Sequence, residues 1–290
     1  MAGGRPPVTA GRAPSWRWGA LIAGGAVTLL MPGAAQLAFA AAAIGLLGLP
    51  HGASDLAVVH QKRRVSFLAA YGATILAVLL LWIVAPLAAL IGFLGLSAIH
   101  FATDGRAGDH KAGDWALGIL LVAGPAVLHR PVLARLFGSV LHHEPAAAGL
   151  ALVLQAIALI ALVPVVRGLF RGGRMLQSTP PQVATGLVAV LVLPPFVGFA
   201  CGFVLLHARG QTRERQAELG CVDLASYLAR IAPVMLGAFA VLAGLVWLLA
   251  RAAFDDTAML FACIAALAVP HMLVTPLWCR DASWRPLAAR

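Results

Sequence analysis

The run AAQLAFAAAAIGLLGLPHGASD, residues 34–55, decides the fold class, because it joins a membrane-spanning length of apolar residues to an imidazole and a carboxylate. A helix that crosses the bilayer needs about 20 predominantly apolar residues. Such runs recur throughout the 290-residue chain, of which 61% is hydrophobic and only 11% charged. The composition therefore predicts an all-α, polytopic integral membrane helical bundle, since helices satisfy their backbone hydrogen bonds internally.

The apolar runs predict ten transmembrane helices, or eight or nine if short runs merge or are re-entrant. They cover approximately residues 17–31, 34–60, 66–84, 87–104, 115–128, 146–166, 183–193, 196–211, 224–250 and 257–277. We interpret residues 183–211 as two spans that meet at Pro194-Pro195, with one kinked helix as the alternative. We expect a disordered tail over residues 1–16, a single transmembrane domain over 17–279 and a cytoplasmic tail over 280–290.

The distribution of basic residues predicts the topology. The formal net charge is +10, but the basic residues lie at the ends of apolar runs, which favours membrane topology over nucleic-acid binding. With ten spans and both termini in the cytoplasm, only Arg130, Arg135 and Arg251 lie on the outer side. A single kinked helix at Pro194-Pro195 would instead move every later arginine across. The positive-inside rule therefore favours ten spans in the inner membrane.

Two matching motifs place ionisable residues inside predicted spans. His51 is followed by Asp55, and His100 is followed by Asp104, each carboxylate lying one helical turn after its imidazole on the same face. A neutral imidazole binds transition metals, and a carboxylate nearby can orient it. The alternative is structural, with each His bonded to a carbonyl and each Asp capping a helix. The repetition favours a metal site, because ionisable residues in membrane helices usually serve a function.

Two further histidines lie at the same predicted depth. His207 and His271 occupy the cytoplasmic halves of even-numbered spans, as do His51 and His100, so the four can share one layer. Gln211 follows His207 by one turn, and an amide oxygen is a weaker transition-metal ligand than an imidazole. His271 follows a proline that frees a backbone carbonyl, so a structural role is as reasonable as ligation. His207 beside Arg209 would by itself be an interfacial residue, so the residues alone leave open whether His207, Gln211 and His271 are ligands.

A site of several imidazoles with an open coordination position suits Fe(II) and oxygen chemistry, although zinc and copper accept the same ligands. The chain contains no P-loop, nucleophile elbow or Rossmann fingerprint. The apolar helix surfaces indicate a substrate that enters sideways from the lipid. A metal or proton transporter is the main alternative, because His and Asp at mid-depth also form ion relays.

Two of these stretches resemble a known family. Gly48-Leu49-Pro50-His51-Gly52-x-x-Asp55 and His100-Phe101-x-x-Asp104 are similar to motifs of the Brp/Blh family of β-carotene 15,15'-dioxygenases, and Pro270-His271-Met272 adds weaker support. The resemblance covers most of the chain in span layout and motif order. It implies an integral membrane enzyme that uses Fe(II) and O2 to cleave β-carotene centrally into two molecules of retinal. Such retinal commonly serves microbial rhodopsins, which implies a functional link to a rhodopsin.

The resemblance also implies a ligand set. The family's iron histidines correspond to His51, His100, His207 and position 211, where this chain has Gln211. The chain also has Ala102 where the family commonly has glycine. We therefore predict that His51, His100 and His207 bind Fe(II), with Gln211 or His271 as a weaker fourth ligand and with Asp55 and Asp104 orienting the imidazoles. A divergent member of the family with another substrate is an alternative. A carotenoid-binding protein that has lost catalysis is a further alternative.

Overall fold

The structure is a computed structural model that describes residues 16–31, 33–103, 112–170, 181–252 and 254–279. Over these ranges every regular element is helical, and none is a strand. The two tails expected over residues 1–16 and 280–290 lie outside the described residues, apart from Trp16, where the first helix begins. Asp104 lies outside them as well.

The helices follow the predicted order, except that residues 129–141, which the prediction left outside the spans, form most of α8. They are α1 (Trp16–Val27), α2 (Gly33–Ala43), α3 (Leu49–Ala53), α4 (Asp55–Val58), α5 (Arg64–Val84), α6 (Pro86–Thr103), α7 (Ala112–Ala123), α8 (Pro125–Leu141), α9 (Glu144–Phe170), α10 (Pro181–Val192), α11 (Pro195–Gly202), α12 (Arg209–Glu218), α13 (Leu224–Arg251) and α14 (Asp256–Cys279). Two π-helical turns, Ile44–Gly48 and Phe203–Ala208, continue α2 and α11 toward the histidines. Two short 3-10 turns, Thr28–Leu30 and Gln61–Arg63, complete the connections.

Seven segments of the described chain are long and apolar enough to cross a membrane. They are Gly33–Val58, Gln61–Val84, Pro86–Thr103, Ala112–Leu141, Glu144–Arg167, Leu224–Arg251 and Asp256–Trp278. The predicted first and seventh spans are the shorter apolar helices Gly19–Leu30 and Pro181–Val192. The predicted eighth span continues into the strongly charged helix α12, which limits its apolar length. The predicted fold class is confirmed, and the protein is a multi-pass membrane protein.

The proline pair separates two helices, as the sequence predicts. Helix α10 ends at Val192 and α11 begins at Pro195, because proline has no N–H to continue the hydrogen bonds of α10. The two helices are antiparallel and close: a Cβ on Gly198 would stand 2.8 Å from the carbonyl oxygen of Ala189, and Gly186 faces Leu206. The predicted hairpin is therefore confirmed, and Gly186 and Gly198 permit the close approach of its two helices.

The main core joins α6, α7, α8 and α9 to α14. Leu90, Leu120, Ala151 and Ala266 are fully buried within it. Helix α5 packs against α14, where the Tyr71 hydroxyl donates to the carbonyl oxygen of Leu267 over 3.0 Å. The outer faces of α5 and α13 stay exposed, as expected of surfaces that face lipid.

Candidate active site

The structure brings four histidines from separate parts of the chain into one ring. His51 lies on α3, His100 on α6, His207 in the second π turn and His271 on α14. The centroid of the His51 imidazole lies 5.2 Å from the centroid of His207 and 5.2 Å from that of His271. The centroid of His100 lies 5.0 Å from that of His207 and 5.1 Å from that of His271. Each imidazole therefore has two imidazole neighbours.

The two π turns pack against each other beside this ring. A Cβ on Gly48 would overlap the ring of Phe203, so the close approach requires glycine at this position. A π turn adds one residue to a helical turn and is frequent at functional sites. The sequence reasoning did not find these turns, because each lies inside an uninterrupted apolar run.

The imidazole of His51 is buried with one of its nitrogens unsatisfied within the described chain. Its residue is 7% exposed, and Nδ1 has no hydrogen-bond partner among the residues that the structure describes. A buried polar atom without a hydrogen-bond partner lowers the stability of the folded protein. In native proteins such atoms are rare, and a bound ion is one of their explanations. His207 is similarly buried, at 6% exposure.

Asp55 binds the imidazole of His271 rather than the one that precedes it in sequence. His271 donates from Nδ1 to Oδ2 of Asp55 over 2.6 Å, and the Thr275 hydroxyl donates to the same oxygen over 2.7 Å. The helix is interrupted at Ser54, whose hydroxyl donates to the carbonyl oxygen of His51 over 2.5 Å. Because a carboxylate accepts hydrogen bonds, the proton lies on Nδ1 of His271 and the lone pair on Nε2.

Two partners of Asp55 were missed by the sequence reasoning. Thr275 follows His271 by four residues and shares its helix face, which was the available signal. Arg215 on α12 places Nη2 3.8 Å from Oδ1 of Asp55, and its side chain is 19% exposed. Its charge balances the buried carboxylate, but nothing in the local sequence links residues 160 positions apart.

The two candidates for the fourth ligand occupy different surroundings. His271 lies beside His51 and His100 and lines the cavity described below. Gln211 is half-buried on α12, and within the described ranges it does not belong to the lining of that cavity. The structure therefore brings His271, rather than Gln211, to the other three imidazoles.

A cavity of about 670 Å³ opens beside the four imidazoles. Its lining is mostly apolar and includes Phe67, Phe93, Phe101, Phe199, Phe203 and Met272. Pockets for small organic ligands have volumes of about 300–1,000 Å³ and carry few polar groups. The arrangement can therefore hold an apolar molecule against a polar, imidazole-rich wall.

The histidines match a metal site in kind and in separation. Imidazoles that bind one ion through metal–nitrogen bonds of about 2.1 Å place neighbouring ring centroids roughly 5 Å apart. As the side chains stand, however, no three His, Cys, Asp or Glu residues of the described chain place their donor atoms to hold one ion. The imidazoles would have to turn about their side-chain bonds to direct their nitrogens at a common ion.

Comparison with known proteins gives one match. The family model described as beta-carotene 15,15'-dioxygenase matches residues 42–279, a range that contains all four histidines. No curated protein and no solved structure matches the chain. The resemblance of the His51 and His100 motifs is thereby confirmed at the level of the family. Because the match covers well over half of its length, the chain belongs to the beta-carotene 15,15'-dioxygenase family.

Proposed function

We propose that the protein cleaves a carotenoid with O2 in an iron-dependent reaction, namely β-carotene at its central 15,15' double bond, to give retinal. The observation that carries this proposal is the ring of four imidazoles at the wall of an apolar cavity inside a membrane bundle. Family membership supports the same reaction class. A long conjugated hydrocarbon fits such a lining, because its burial requires no polar partner.

His51, His100, His207 and His271 would hold Fe(II) in this proposal, and Gln211 would not. Ferrous iron with imidazole ligands and an open coordination position supplies the activation of O2. The donor set suits this metal in ligand type, and Nδ1 of His51 is a buried atom that still lacks a partner within the described chain. The imidazoles would need only to rotate, since their separation already matches a shared ion.

The remaining residues would position and shield the site. Asp55 holds the proton of His271 on Nδ1, so that Nε2 can face the other imidazoles. Thr275 and Arg215 hold the carboxylate in turn. Asp104 is proposed to orient His100 in a similar way. The phenylalanine-rich lining would exclude water and align the polyene beside the imidazoles.

The surroundings of the enzyme follow from this proposal. β-Carotene would come from the bilayer, where an apolar substrate accumulates. We place the protein in the inner membrane with both termini in the cytoplasm, as the distribution of basic residues indicates. Its retinal would then be available to a retinal-binding rhodopsin.

Expression in bacterial cells that accumulate β-carotene tests this function. The wild-type protein should convert β-carotene to retinal, which chromatography of cell extracts detects, and His51→Ala should not. Immunoblotting of membrane fractions controls for equal amounts of both proteins. Well-expressed wild-type protein that yields no retinal would contradict the proposal.

A carotenoid-binding protein without catalysis is the second candidate. It is favoured by the donor atoms, which do not form a closed set as the side chains stand. Purified protein that retains β-carotene but contains no iron would identify this function. A metal or proton transporter receives less support, because the cavity beside the histidines is mostly apolar.

A further inference from the structure

One edge of helix α13 borders the cavity and the outer surface of the bundle at the same time. Pro233, Gly237 and Val241 recur every four residues and therefore lie on one face of this helix. All three line the cavity, and all three are exposed, Val241 by 43%. Lining residues that are this exposed are the place where an opening to the surface is expected.

Helix α13 packs against the bundle near both of its ends. Near its beginning, Tyr227 and Ile231 pack with Ala53, and the Tyr227 hydroxyl donates to the carbonyl oxygen of Pro50 over 2.7 Å. Near its end, Leu245 and Leu249 are buried in the main core. Between these anchors the helix spans the wall of the cavity.

The middle of α13 leaves room beside the cavity. A Cβ on Gly237 would meet no atom within 4 Å. Pro233 has no N–H, so the helical hydrogen-bond ladder is incomplete where the exposed edge begins. The part of α13 that lines the cavity therefore contains a glycine with free space around it and a gap in the hydrogen-bond ladder.

Helix α5 supplies a second exposed part of the lining. Leu68 lines the cavity and is 52% exposed. Gly72, one turn further, also lines it and has open space where a Cβ would stand. The lipid-facing helices α5 and α13 thus both carry lining residues that are accessible from outside.

We propose that the cavity opens sideways into the bilayer through a mouth at the middle of α13, bordered by Pro233, Gly237 and Val241. The mouth admits a long apolar isoprenoid, which reaches the imidazoles without leaving an apolar environment. Helix α13 carries no charged side chain from Pro233 to Val241. The guanidinium of Arg230, one turn before Pro233, donates to the carbonyl oxygen of Leu219 over 3.0 Å, so the stretch between Pro233 and Val241 requires no desolvation of a charge. This inference rests on the proposed function for the identity of the isoprenoid.

Substitution of two glycines on the same helix tests the mouth. Gly237→Phe places a large ring at the mouth, whereas Gly244→Phe adds the same ring to the same helix away from the cavity lining. Both sites have open space around the added Cβ, so both variants are expected to fold. In cells that accumulate β-carotene, Gly237→Phe should lower retinal formation about tenfold or more, and Gly244→Phe should leave it within about twofold of wild type.

A binding measurement keeps the mouth separate from the catalytic proposal. The amount of β-carotene retained by protein purified from these cells should fall in Gly237→Phe and stay at the wild-type level in Gly244→Phe. If wild-type protein retains β-carotene but forms no retinal, the catalytic proposal fails and retention alone decides the mouth. The inference would be overturned by equal effects of the two substitutions or by an unaffected Gly237→Phe protein. It would also be overturned by a wild-type protein that takes up no β-carotene.

Discussion

Asp55 is the most buried charged group of the site, with 2% of its surface exposed. A buried carboxylate is tolerated only when other groups compensate its charge and donate hydrogen bonds to its oxygens. His271, Thr275 and Arg215 provide these contacts from two other helices. The carboxylate therefore links His271 to Arg215 on the charged helix α12. Its loss should alter the site more than the stability of the fold.

We predict that Asp55→Asn weakens iron binding about tenfold to a hundredfold, as replacement of such outer partners typically does. The amide keeps the shape of the side chain but no longer requires the proton of His271 to stay on Nδ1. Titration of metal-free protein with Fe(II) under anaerobic conditions measures the change. Thr275→Val is the control. It removes a single hydrogen bond to Asp55, so it should weaken iron binding by only about 1 kcal/mol. Iron affinity equal to wild type in Asp55→Asn would refute this role.

The two fourth-ligand candidates can be separated by a matched pair of alanine substitutions. His271→Ala should reduce retinal formation by about a hundredfold or more, because even outer partners of a metal cost up to that factor. Gln211→Ala should retain activity within about twofold, since ordinary substitutions away from packed contacts change little. Rates of retinal formation at equal protein levels provide the comparison. The opposite pattern would assign the ligand to position 211.

At the scale of helices, Gly118 allows α7 to pack closely against α6. A Cβ on Gly118 of α7 would stand 2.6 Å from the backbone nitrogen of Ala102 and 2.8 Å from the carbonyl oxygen of Ala98. These two atoms flank His100 along α6. The close packing of α7 against α6 therefore contributes to the position of this imidazole.

Gly118→Ala should destabilise the protein by about 1–3 kcal/mol, because the added methyl group can be accommodated only by movement of a backbone. Gly113→Ala on the same helix meets no atom within 4 Å and should be neutral or slightly stabilising. Thermal unfolding in detergent compares the two variants. A Gly118→Ala protein as stable as Gly113→Ala would show that α6 and α7 are not held at this distance.

At this scale the sequence predicts the helices and their breaks but not the contacts between distant helices. Apolar run length predicts the helices, and the missing N–H of proline predicts the break between Val192 and Pro195. The shared depth of the four histidines follows from counting alternate spans. The contact between Asp55 and His271 joins residues that are 216 positions apart, so helix periodicity carries no information about it. The π turns were missed because each lies inside an uninterrupted apolar run, which gives no signal of the extra residue.

The whole molecule is a bundle whose most polar interior lies next to its most lipid-exposed helices. Helix α5 exposes Leu76 by 69% and α13 exposes Leu236 by 69%, as surfaces in contact with acyl chains do. Asp55 and four imidazoles lie inside the same bundle. Placing these groups in an apolar interior is costly unless they bind something. The proposed metal site and the proposed lateral mouth both rest on this arrangement.

The iron content of protein purified anaerobically in detergent tests the central claim most directly. We predict about one Fe(II) per chain in wild-type protein, because in the proposal the four imidazoles share a single ion. The same content is expected in Gln211→His, and almost none in His51→Ala. Wild-type protein that remains without iron after incubation with Fe(II), or a His51→Ala protein that binds iron as well as wild type, would contradict the account.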